Sequence, residues 1–139
     1  MKHTYKTSLK WQEGKKGIIS TQGKPDIAVA APPEFKGPLG FLSPEDLLVS
    51  AVNSCLMLTF LFYAQREGLE LQSYESEATG ILEMSEGKMM VSTIAIAPKV
   101  SFKSPLASEK LAALFKASKE NCFISNSVKS KVEITPEIE

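Results

Sequence analysis

Ser43-Pro44-Glu45-Asp46-Leu47-Leu48-Val49-Ser50-Ala51-Val52-Asn53-Ser54-Cys55 opens the segment on which the fold turns. Serine is a strong N-cap, proline is favoured at the first helical position, and acids in the first turn suit the positive end of the helix dipole. Ser43 therefore starts a helix over 44–66, and Gly68 supplies its stop. From Leu47 to Tyr63 the helix is apolar on nearly every side, with a thin polar stripe through Ser50, Asn53 and Ser54. Such a helix must be surrounded by protein. The apolar run falls short of the ~20 residues that a membrane span needs, so a buried central helix is expected and no membrane association.

Working outward, Tyr5, Thr7, Leu9 and Trp11 alternate with polar neighbours, and Glu13-Gly14-Lys15-Lys16-Gly17 makes a turn. Short strands follow over 17–22 and 27–31, then a Pro- and Gly-rich connector over 32–40 with Phe35 and Leu39 to bury. Beyond the helix, 69–84 alternates, Ser85-Glu86-Gly87-Lys88 turns, and 91–102 returns as a long antiparallel hairpin. Ser104-Pro105 opens a second helix whose buried face carries Leu111, Leu114, Phe115 and Ser118, continued by Cys122. Val128, Val132 and Ile134 form a last strand that Pro136 closes. Strands, helix, hairpin, helix and strand imply a single α+β domain over 1–139, with antiparallel sheets.

Composition narrows the function. Hydrophobic residues make up 43% and charged residues 23%, a globular balance. Lys plus Arg and Asp plus Glu each total 16, and Arg66 is the only arginine, so neither a global basic field nor guanidinium forks are available for nucleic acid. The N-terminal stretch shows no secretory signal pattern, and a cytoplasmic protein is expected. Two cysteines and the single His3 make no zinc pattern, so no metal and no cofactor are expected. In a reducing compartment a cysteine pair is either unconnected core filler or a redox couple.

The segment quoted above resembles the Asn/Ser-Pro-Glu stretch that leads to the peroxide-attacking cysteine in the family of osmotically inducible protein C and organic hydroperoxide resistance proteins (OsmC/Ohr), including the ten-position step from Glu45 to Cys55. Asn121-Cys122-Phe123-Ile124-Ser125 resembles the family's Cys-Pro-x-Ser segment, with Phe123 where proline is usual. The resemblance implies an OsmC-like fold, an intertwined homodimer, and a thiol peroxidase acting on organic hydroperoxides. In it Cys55 attacks, Cys122 resolves, Glu45 assists, and an external dithiol, a lipoyl-bearing protein or a small thiol, regenerates the enzyme. The family's N-terminal arginine is absent. Lys15 and Lys16 stand in that region as candidate cations. An apolar mouth of Phe35, Leu39, Phe41 and Met57 would favour organic peroxides over hydrogen peroxide. The alternative is a non-enzymatic relative binding a small apolar or acyl ligand, with the cysteines as redox sensors or core residues. A thioesterase with a helix wrapped by a sheet is a third reading, for which only Glu45 offers a carboxylate.

Overall fold

A computed structural model describes residues 1–139, which fall into two compact units, 1–47 and 48–139. The N-terminal unit is a three-stranded antiparallel sheet of β1 (Ser8–Glu13), β2 (Lys16–Ser20) and β3 (Ile27–Ala30), in that order. The connector follows, with the Ala30 amide donating to Leu42 O at 3.0 Å. Leu9 and Trp11 of β1 are exposed.

The predicted cap of the long helix is present. In α1 (Pro44–Arg66) the Asp46 amide donates to Ser43 Oγ at 3.1 Å, and the Ser43 amide donates back to Asp46 Oδ2 at 2.9 Å. This reciprocal pair satisfies two amides at the helix start. The stop is also as expected: Gly68 takes the left-handed conformation (φ 70°), and the Leu69 amide reaches back to Ala64 O at 2.9 Å. At 23 residues α1 is long and apolar enough to cross a bilayer, contrary to the sequence expectation, which counted only the central apolar run. One stripe of it, Val52, Leu56, Phe60 and Ala64, is buried in the core of the C-terminal unit.

That unit is built on β4 (Leu71–Ser85) and β5 (Lys88–Phe102), the expected hairpin, with α2 (Ser108–Asn121), β6 (Lys131–Ile134) and β7 (Glu137–Ile138) after it. Phe60 anchors the core. It stacks on Phe115 of α2 at 4.3 Å between centroids and 11° between planes, and tilts against Tyr74 at 5.6 Å. Leu111, Leu114, Phe115 and Ser118 are all buried, as the spacing predicts. Gly80 lets β4 run close under α1, because a Cβ there would lie 2.6 Å from Val49 Cγ2. The polar stripe of α1 is tied to the same strand where Ser76 Oγ donates to Asn53 Oδ1 at 2.6 Å.

Three expectations are corrected. The sheet is mixed rather than antiparallel, because β6 and β7 both run parallel to β5, reached by the crossover through α2. Pro136 interrupts this edge without ending it: β7 resumes pairing at the next residue, Glu137. Pro98 of β5 faces that interruption, so its missing N–H removes no ladder bond. Finally, α2 begins at Ser108 and not at Ser104-Pro105, since Leu106 packs against the core first and Ala107, in extended backbone, provides the carbonyl for Lys110 and Leu111.

Candidate active site

The two thiols are neighbours. Cys55, half-buried about three turns into α1, and Cys122, fully buried at the end of α2, influence each other's ionisation, and both are free. Cys55 opens onto a cavity of about 500 Å³ lined also by Leu58, Thr59, Phe62, Tyr63, Asn121 and Phe123. None of these residues is charged. Leu58, Thr59 and Phe62 follow Cys55 at the 3, 4, 7 spacing of one helix face, a signal that was available in the sequence. One residue of the expected mouth is corrected: Met57 is not among the lining residues. The reason is that a helix apolar all round offers no period to say which face stays open.

Burial raises the Cys55 thiol, but this is outweighed by hydrogen bonding from the Ile124 amide, the Cys122 thiol, the Thr59 hydroxyl and the Phe123 amide, and the thiol ends below its ordinary value. The same Thr59 hydroxyl donates to Cys55 O at 2.8 Å, so its one proton serves the carbonyl in this conformation, which leaves the Ile124 amide, then the Cys122 thiol, then the Phe123 amide. Burial moves Cys122 the other way. The Ser125 amide lowers that thiol, while the Ser125 hydroxyl is buried without a hydrogen-bond partner, and burial and the Cys55 sulfur keep the thiol raised. The pair is therefore unequal, with the half-buried thiol the more acidic one.

The other candidate residues lie in the N-terminal unit. Glu45, in the first turn of α1, has a buried Oε1 with no hydrogen-bond partner. Lys15 donates to Phe35 O at 2.8 Å. Lys16 lies 3.6 Å from Glu13 Oε1 and 4.7 Å above the Phe41 ring. No three His, Cys, Asp or Glu side chains gather in a way that could hold a metal ion.

The family model for OsmC-like proteins matches residues 37–137, a span that includes both cysteines and Glu45. The chain belongs to the OsmC-like family. A solved OsmC-like protein of unknown function from Vibrio cholerae superposes on it with a TM-score of 0.91 at 26% identity, covering 97% of this chain and 99% of that one. An organic hydroperoxide resistance protein OsmC from Legionella pneumophila superposes with a TM-score of 0.73 at 22% identity over 99% of each chain, which shows a shared fold. Among curated proteins, the uncharacterized protein YmaD of Bacillus subtilis is 24% identical over 136 residues, 95% of this chain and 91% of that one. The α+β arrangement of this OsmC-like chain, two helices with antiparallel and mixed sheets, is thus that of the family.

Proposed function

We propose that this OsmC-like protein is a thiol peroxidase for organic hydroperoxides, working as a homodimer with Cys55 as nucleophile and Cys122 as resolving thiol. The observation that carries the reading is that Cys122 neighbours Cys55, which opens onto an uncharged, largely apolar cavity. The Cys55 thiolate attacks the terminal peroxide oxygen. The O–O bond breaks, and the departing alkoxide takes a proton and leaves as the alcohol. The resulting sulfenic acid is attacked by Cys122, a disulfide forms, and water leaves with the sulfenic oxygen. An external dithiol reduces the disulfide by exchange and is itself oxidised, which suits a reducing cytoplasm. Leu58, Phe62 and Tyr63 give the substrate's organic part an apolar wall. Glu45, whose buried oxygen lacks a donor, is the acid that this reading assigns to the site's support. Lys15 and Lys16 are held by partners of their own unit, and no cation is among the groups that lower Cys55.

One equivalent of an organic hydroperoxide should convert the reduced protein to a Cys55–Cys122 disulfide, seen as a loss of two hydrogens in intact mass and reversed by a dithiol. Cys55→Ser should abolish peroxide consumption. Cys122→Ser should retain one turnover and let Cys55 proceed to sulfinic acid. Thiols left untouched at peroxide concentrations that oxidise free cysteine would instead support binding of an apolar or acyl ligand in the same cavity, a reading favoured by its uncharged lining.

A further inference from the structure

The chain reverses sharply after α2, and the bonds of that turn all run one way. Cys122 has extended backbone (φ −77°, ψ 112°), and its carbonyl accepts from the Asn126 amide at 3.0 Å. The Ser127 amide donates to Ile124 O at 2.9 Å, the Ser127 hydroxyl to Phe123 O at 2.8 Å, and Asn126 Nδ2 to Glu120 O at 3.2 Å. The carbonyls of the turn are thereby occupied. Its three successive amides, Phe123, Ile124 and Ser125, donate to no backbone carbonyl. Phe123 lines the same cavity as Cys55, and the Phe123 and Ile124 amides are among the neighbours that lower the Cys55 thiol, as the Ser125 amide is for Cys122. Successive inward-pointing amides form a concavity suited to an anion.

We propose that the backbone amides of Phe123 and Ile124 are the anion site for the Cys55 thiolate, so that peptide dipoles hold the nucleophile's charge where no charged side chain lines the cavity. The titratable groups facing Cys55 are Cys122 and Tyr63. Neither is a cation at neutral pH. The site also gives a thiol in the middle of α1, beyond the reach of that helix's own dipole, donors that lower it: they come from the turn after α2. Phe123 matters for its N–H. A proline in its place would keep the turn and lack the donor. The inference rests on the peroxidase reading for its purpose and on the turn alone for its geometry.

The test compares Phe123→Pro, which removes one amide, with Phe123→Ala, which keeps it. The extended backbone of Cys122 is already the conformation that a following proline requires. Alkylation of Cys55 by iodoacetamide is followed across pH and read on the Cys55 peptide by mass spectrometry, with no peroxide present. Loss of one hydrogen bond to a charged acceptor should raise the alkylation midpoint in Phe123→Pro by about one pH unit and slow the reaction at pH 7 about tenfold. Phe123→Ala should move it by less than a third as much. Equal shifts in the two variants, or none in the proline variant, would overturn the proposal. A second measurement does not depend on a variant folding: in the ¹⁵N-labelled wild type, the Phe123 and Ile124 amide protons should move downfield as Cys55 ionises. Amides that ignore that titration sink the idea. If they follow it while hydroperoxide leaves Cys55 unoxidised, the anion site stands and the peroxidase reading falls.

Discussion

Tyr74 places its ring among Phe60 and Phe115 while its hydroxyl is buried without a hydrogen-bond partner. Burial disfavours the phenolate and raises the group above its ordinary value. A group raised in this way contributes stability that is complete below its unfolded value, about pH 10, and is lost as pH climbs toward the folded value. Tyr74→Phe should therefore gain ~1 kcal/mol at neutral pH by removing an unpaired hydroxyl, and lose less stability above about pH 10. Urea unfolding at pH 7 and 10.5 measures both, and a destabilised variant at pH 7 would mean that the hydroxyl has a partner. At this scale the sequence was partly legible. Cys55 and Cys122 stood out because each sits in a short segment with its own signature. The turn that serves them did not, because free amides are a property of backbone conformation and leave no trace in residue types.

Among the elements, α1 presents two faces of nearly equal hydrophobicity and buries only one. Val52, Leu56 and Phe60 are inaccessible, whereas Leu58 and Phe62 are 62% and 59% exposed. Apolar residues exposed together on one helix mark an interface, and a second copy of the chain is the cover that we propose for them. Sedimentation of the wild type at micromolar concentration should give a dimer, and Leu58→Glu with Phe62→Glu should give a folded monomer. A monomeric wild type removes this expectation. The cap, stop and extent of α1 could be read in advance because they depend on local chemistry at Ser43, Asp46 and Gly68. Strand direction could not. The alternation through Val132 and Ile134 tells which face is buried, and it is the same for a parallel and an antiparallel neighbour.

In the molecule as a whole, β5 is flanked by neighbours of very different sequence distance. The tip Glu86-Gly87 joins it directly to β4, whereas β6 and β7 arrive only after α2 has been laid down. The late side is marked by two bonds: the Thr135 amide donates to Ile96 O and the Glu139 amide to Val100 O. Because a strand residue's N–H and C=O point to one side, Ile96 and Val100 face the late edge, while Ala95, Ala97 and Lys99 face β4.

This arrangement sets an order of events during folding. A hairpin closes within microseconds, whereas a parallel edge waits for the longer loop to be drawn in. Neighbouring amides of one strand should then acquire protection at different times, alternating with a period of two. Pulse-labelled hydrogen exchange during refolding should find Ala95, Ala97 and Lys99 shielded ahead of Ile96 and Val100, and simultaneous protection would mean that β4, β6 and β7 condense on β5 in one step.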